Sequence, residues 1–197
     1  MKYNKMVIGV ILILIIGIGA FIAFQFRSTN MLEYNGFTIY EEKRDGLQSY
    51  QIQFFREGEE QPFIIHSRYH PQVLETISVP TQLRKELIKE QLYITMEPTL
   101  SGKATIAFAE IDKYTENPFL FNLPTYPALV RKIEGNELPI ITCSNVSTSS
   151  GVIMFKIGEK NQISNQEGCI IIEAQNEDEL IKGADRLSLT LLEIMKE

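Results

Sequence analysis

The sequence is short of almost everything that marks a dedicated chemical site. It has two histidines, His66 and His70, at H-x3-H spacing. That spacing puts two nitrogens on one side of a helix, but Pro71 and the strand-like Phe63–His66 argue against a helix there, and no third ligand is specified. No D-x-D-x-D-G loop offers a calcium site. Gly17-Ile18-Gly19 lies inside an apolar run, away from any strand–helix junction that would cradle phosphate. Ser147-Thr148-Ser149-Ser150-Gly151 lacks the G-x-S-x-G frame of a nucleophile elbow and reads as a polar loop between strands. Internal repeats, long linkers and low-complexity tracts are absent too. No catalytic, cofactor-binding or metal-ligating residue is assigned.

Charge of one sign is also scarce, and unevenly so. The first 27 residues hold three basic residues (Lys2, Lys5, Arg27) and no acid, which leaves 16 basic against 25 acidic residues, a net charge of −9, in the remainder. A domain that acidic lacks the basic footprint of a nucleic-acid binder, so no nucleic-acid partner is expected. It is equally unsuited to lying flat on an anionic leaflet. Pairs such as Glu110 with Asp112, or Asp178 with Asp185, resemble acid–base partners, but carboxylates at that density arise in any acidic domain.

What is present begins with Met6–Phe24, 19 consecutive residues without a charge or a strongly polar side chain. At about 1.5 Å per residue they make roughly 28 Å of helix, close to the hydrocarbon thickness of a bilayer. The run is apolar all round, where a soluble core helix would carry a polar stripe. It is too long for a signal-peptide core, and Ala20-Phe21-Ile22-Ala23-Phe24-Gln25 places bulky residues where cleavage wants small ones. The first cysteine is Cys143, so lipoprotein processing is out, and the charge expected inside a pilin-like helix is missing. Lys2, Lys5 and the amino terminus precede the run and only Arg27 follows, which holds the N-terminus in the cytoplasm. The expected organisation is a cytoplasmic 1–5, a transmembrane helix 6–26, a short joint 27–30 and an extracytoplasmic domain 31–197.

In that compartment Cys143 and Cys169, 26 residues apart, are a candidate disulfide, which would stabilise the fold by about 3 kcal/mol in the chain-entropy model. Two buried free thiols are the alternative. Asn145-Val146-Ser147 is the single N-x-[ST] triplet with a non-proline middle residue and a candidate glycan acceptor.

Within the domain, Gly36–Tyr40 and Tyr50–Phe55 read as a hairpin around Lys43-Arg44-Asp45-Gly46. Gly58-Glu59-Glu60 then turns the chain into a strand at Pro62–His66, and Arg68-Tyr69-His70-Pro71 breaks the pattern. Thr81 is placed to cap a short helix carrying Leu83, Leu87 and Ile88. Leu92–Met96 reads as a strand, and Ala104–Ala107 as another that passes into a helix through Phe108, Ile111 and Tyr114. Prolines 118, 124, 127 and 139 mark an extended stretch. Ile140–Thr142, Val152–Ile157 and Cys169–Glu173 are further strands. Asn176 caps a final helix with Glu179 at its third position, a capping-box pattern. Its stripe of Leu180, Ala184, Leu187, Leu191 and Met195 should lie on the sheet, with Glu179, Lys182, Asp185, Arg186 and Glu193 on the other sides. The fold class expected is α+β: a mixed sheet, a few helices and a long amphipathic C-terminal helix.

Pro139-Ile140-Ile141-Thr142-Cys143, Val152-Ile153-Met154-Phe155, Cys169-Ile170-Ile171-Ile172-Glu173, Ala184-Asp185-Arg186-Leu187 and Leu191-Leu192-Glu193-Ile194-Met195 together resemble a group of short, membrane-anchored archaeal surface proteins of unknown function. Arg68-Tyr69-His70-Pro71 and Tyr93-Ile94-Thr95-Met96-Glu97-Pro98 extend the likeness. The resemblance covers roughly the last 55 residues and implies surface display without supplying functional residues. It also leads one to expect glycine where Glu193 stands. Two functions follow as expectations. One is a non-enzymatic module that binds or scaffolds an envelope protein or surface-layer partner. The other is an anchored hydrolase-like enzyme, which would show a deep pocket holding a carboxyl of shifted proton affinity near His66 or His70.

Overall fold

The computed structural model describes residues 31–197 apart from positions 45, 56, 57, 59 and 60. The apolar run assigned to a membrane helix lies outside these residues. Among the described residues no helix is long and apolar enough to cross a membrane.

The described chain is α+β, but it builds two sheets where one mixed sheet was expected. An antiparallel meander of order β1-β2-β3-β4 comprises β1 (Met31–Tyr34), β2 (Phe37–Arg44), β3 (Leu47–Phe54) and β4 (Phe63–Ser67). Ile39, Ile52 and Ile65 stand opposite one another across β2, β3 and β4 and fill its inner face. Two short helices follow, α1 (Pro71–Leu74) and α2 (Leu83–Leu87). Thr81 does not cap α2. Gln82 occupies that place with φ 67°, and the Glu197 carboxylate accepts from the backbone N–H groups of Gln82 and Leu83. A carboxylate two bonds deep into the orphan amides supplies what a threonine hydroxyl would have given.

The second sheet has order β6-β5-β7-β9-β8. Its strands are β5 (Gln91–Met96), β6 (Thr125–Leu129), β7 (Ser150–Ile157), β8 (Gln162–Gln166) and β9 (Cys169–Ala174). All pairings are parallel except β8 with β9. Helix α3 (Gly102–Thr115), with Ser101 as its cap, crosses from β5 to β6. It takes in Ala104–Ala107, expected as strand. Ala104, Ala107, Ile111 and Tyr114 recur at spacings of 3, 4 and 3 and are all buried, so helical periodicity outweighs the local β-branched residues. Ile140–Thr142 contributes a single bridge, Leu129 with Ile140, and not a strand. Pro127 sits in β6, an edge strand, where a missing N–H is tolerated.

Helix α4 (Glu177–Leu191) starts as expected: the Asn176 side chain accepts from the N–H groups of Asp178 and Glu179. The Glu179 carboxylate turns to Asn161 and Lys182 instead of closing a reciprocal box. The larger correction concerns its sides. Asp185 and Arg186, expected on the solvated sides, are 1% and 6% exposed. The reason is that α4 is covered twice. Toward the second sheet, Gly183 lies so close to Ile172 of β9 that a Cβ would meet its Cγ2 at 2.4 Å. Toward the meander, Asp185 accepts from Ser67, Arg68 and Tyr69. The helices thus form the middle of three layers, and residues of both sheets share one continuous core with Leu180, Ala184 and Leu187.

The far face of the second sheet carries a smaller cluster. Val152, Cys169 and Ile171 are buried there beneath Ile141, Cys143 and Val146. Cys143 and Cys169 form a disulfide, pinning the 130–149 connection to β9.

Candidate functional site

Where β4 runs out toward α1, three residues aim polar groups at α4. Asp185 Oδ2 lies 2.9 Å from Ser67 Oγ, 2.8 Å from the Arg68 amide and 3.1 Å from the Tyr69 amide. Beside it Glu110, 5% exposed on α3, accepts from Arg68 Nε at 2.5 Å and from Lys113. Lys113 and Tyr114 also donate to the His66 carbonyl. Two carboxyls, two cations and a serine therefore meet between the meander and the helix layer.

Proton bookkeeping decides how that cluster is charged. Burial pushes the Asp185 carboxyl up to about 7, with the neighbouring Glu110 charge adding to the rise. Lys113 and Arg68 more than offset burial at Glu110 and hold its carboxyl below the usual range. Ser67 has one hydroxyl proton and two partners, Asp185 and the Tyr69 carbonyl at 2.8 Å. That proton is placed to be given to either one, and Asp185 Oδ2 in addition accepts from the Arg68 and Tyr69 amides. Glu110 is thus favoured in its charged form between Arg68 and Lys113, while Asp185 takes up a proton near neutral pH.

The expected pocket with a shifted carboxyl near His66 or His70 is met in part. A cleft of about 310 Å³ lies at this corner, lined by Gln48, Tyr50, Arg68, Tyr69, His70 and Val73. Asp185 and Ser67 are behind it, 1% and 2% exposed, and they reach it only through the backbone of Arg68 and Tyr69. The arrangement orients the cleft wall; it presents neither an open acid nor an open nucleophile. His70 ends the wall. Its Nδ1 accepts from the Gln72 amide, so the neutral ring carries its proton on buried Nε2, which has no hydrogen-bond partner. The ring instead meets Tyr34 and Tyr50 edge-on, at centroid distances of 6.4 and 5.2 Å. Burial holds its pKa down, partly opposed by Glu41 and Glu75.

A second concavity, about 450 Å³, opens on the far face of the second sheet among Gln91, Tyr93, Tyr126, Pro127, Leu138 and Pro139. The parallel register sets Tyr93 against Tyr126, with ring centroids 5.7 Å apart. Tyr126, Leu138 and Ile140 are among the exposed large apolar residues. Sequence reading missed this surface, because the pairing of β5 with β6 is written in neither strand.

The remaining candidates fall apart. His66 is on β4 and His70 caps α1, and among the described residues no group of three or more His, Cys, Asp or Glu is placed to hold a metal. Glu110 faces the meander while Asp112, pushed up to about 6 by burial and Glu116, does not join it. Asp178 pairs with Lys103, far from the role imagined with Asp185. Ser147 accepts from the amides of Ser149 and Ser150 in a turn, and Ser150 already begins β7. Asn145 is exposed on a one-turn 3-10 helix, its Oδ1 accepting from the Thr142 amide.

A scan of protein-family models, a search of curated proteins and a search of solved structures return no match to this chain.

Proposed function

We propose that this is a single-pass membrane-anchored module of the cell envelope, its folded body outside the cytoplasm, which binds or scaffolds another envelope component. The observation that carries the reading is the Cys143–Cys169 disulfide. Such a bond persists in an oxidising compartment, which agrees with the export direction read from Lys2, Lys5 and Arg27. The resemblance to archaeal surface proteins points the same way, and exposed Asn145 then meets an export pathway's glycan machinery. The paired tyrosines, two prolines and Leu138 give the body an aromatic, amphipathic surface of the type enriched at protein interfaces. The test uses the full chain in its own cells, with a photo-crosslinking residue in place of Leu138. A discrete heterologous adduct, lost when Tyr126→Ala is added, supports the reading. Adducts to this chain alone, or digestion of the body only after cells are opened, sink it.

A hydrolase reading rests on one observation, the carboxyl at about 7 behind the Arg68–His70 cleft. It requires Asp185→Asn to abolish turnover of a small ester or glycoside probe while the variant stays folded. Retained turnover removes Asp185 from any catalytic part.

A further inference from the structure

The inner face of the meander does not stop where the core does. Along β3 the side chains of Ile52, Tyr50 and Gln48 stand on one side at period-two spacing, opposite Ile39, Glu41 and Lys43 of β2. From the buried isoleucines this face turns polar, and Tyr50 and Gln48 leave the core to line the cleft of about 310 Å³ with Arg68, Tyr69 and His70. Its walls are held in place. Glu110 fixes Arg68 through Nε, the Tyr50 ring meets His70 at 5.2 Å, and the Lys182 ammonium lies 5.6 Å from the centre of the Tyr69 ring. Rings and guanidinium are thus set before any ligand arrives, which lowers the ordering cost of binding.

Held this way, the same groups keep unused hydrogen-bonding capacity. Gln48 gives both amide hydrogens, to Glu41 and Tyr50 at 2.6 Å each, and its Oε1 accepts from nothing among the described residues. The Tyr50 hydroxyl accepts from Gln48 and keeps its own proton to give. The Arg68 side chain, 44% exposed, bonds only through Nε, and both terminal nitrogens of its planar fork are unbonded among the described residues. That combination sorts ligand classes. An apolar guest would strip water from fork, hydroxyl and amide oxygen and return no bond. An anion would find in the cleft one cation, already paired with Glu110, and the charges of Glu41 and Glu75 acting on the neighbouring His70. A cation would face that same guanidinium. A neutral polyhydroxylated ring meets none of these obstacles. Each of its hydroxyls donates and accepts, a vicinal pair spans an arginine fork, and its C–H face packs on a tyrosine ring. A volume of about 310 Å³ is at the low end of the roughly 300–1,000 Å³ of small-molecule sites and suits one such ring.

We infer that the cleft of Gln48, Tyr50 and Arg68 is a binding site for a neutral hexopyranose. Such binding rests neither on the anchor nor on the Leu138 surface, and it needs no turnover, since Asp185 and Ser67 stay buried behind the wall. Full-length protein in a phosphocholine detergent, which carries no sugar headgroup, is titrated calorimetrically with methyl mannoside, methyl glucoside, methyl galactoside and N-acetylglucosamine, and separately with inorganic phosphate. The expected result is saturable binding of at least one sugar. Gln48→Leu, and Arg68→Lys, which keeps the charge beside Glu110 but not the fork, should each weaken it about tenfold. Arg131→Lys, the same exchange in an exposed ion pair with Glu97, should leave it unchanged. If Arg68→Lys loses its fold, Gln48→Leu decides, because that side chain is exposed and bonds only Glu41 and Tyr50. Silence from all the sugars overturns the inference. So does phosphate binding in their place, or sugar binding that Gln48→Leu leaves at full strength. Each of these outcomes leaves the crosslink at Leu138 to be judged by itself.

Discussion

Three donors from one corner of the meander converge on a single oxygen of Asp185, and that oxygen's proton sets a pH dependence. The folded carboxyl binds its proton up to about 7, against 3.8 for an ordinary aspartate. Between those values the folded state holds a proton that the unfolded chain has released, so stability falls as pH rises, by at most about 1.4 kcal/mol per pH unit. Glu110 works in the opposite sense and in another window: its carboxyl is held low, so its contribution is present above the usual glutamate range and fades as pH falls below it. Urea titrations at pH 5 and pH 8 should show the first slope, and Asp185→Asn, which keeps the shape without the charge, should reduce it to the smaller part that Asp112, raised to about 6, contributes in the same sense. Asp185→Ala leaves buried donors unsatisfied and should cost about 2–4 kcal/mol at either pH. Glu193 offers a second prediction. It has φ 61° just past α4, where the Glu193 amide bonds the Thr190 carbonyl and the Ile194 amide the Leu189 carbonyl. That is the position of a helix terminus that glycine fills most easily, so the glycine expected there by resemblance now has a physical reason. Glu193→Gly should stabilise by about 0.5–1 kcal/mol, left-handed strain being relieved against a looser unfolded chain and the loss of an exposed ion pair with Arg84. The thermal midpoint reads it.

Helix α4 shows at the level of an element how far text predicts packing. Its start and the stripe Leu180, Ala184, Leu187 and Leu191 were legible because Asn176 and the 4-3-4 spacing are local signals, whereas Met195 and Glu193, expected on the same helix, fall beyond its end at Leu191. The burial of Asp185 and Arg186 was not, since periodicity identifies one covered side and this helix has two. Arg186 is satisfied there by the Ile77 and Lys196 carbonyls and by Thr190. Strand β8, with one apolar residue among Gln162-Ile163-Ser164-Asn165-Gln166, is an edge whose pattern carries almost no signal. Likewise Arg68-Tyr69-His70-Pro71 could be seen only as a break, although it builds the wall of a cleft. Close packing of α4 yields a sharp test. Gly183→Ala gains helix propensity of about 1 kcal/mol, but its methyl collides with the Ile172 branch. Overpacking of that kind costs about 1–3 kcal/mol, so the variant should lose stability or at best break even. On the other face, replacing both cysteines by alanine should remove about 3 kcal/mol, seen as a lower urea midpoint.

Taken whole, the molecule is two sheets that touch through shared helices, and neither has a complete core without α3 and α4. Unfolding should therefore be one transition. Far-ultraviolet circular dichroism, which follows the backbone, and near-ultraviolet signals from the tyrosines should trace coincident curves in urea. Separate transitions would show that the meander stands alone.

The contacts that close the meander come from remote parts of the chain: Ser67 waits for Asp185 across 118 residues, and Asn35 for the Ile194 carbonyl across 159. Order of synthesis and order of assembly must then diverge. The hairpins made first emerge with their isoleucine face bare, and stay so until α4 has followed them more than a hundred residues later. A nascent chain of this kind needs shelter until α4 is made, and truncation before α4 should yield aggregates in place of a smaller folded protein.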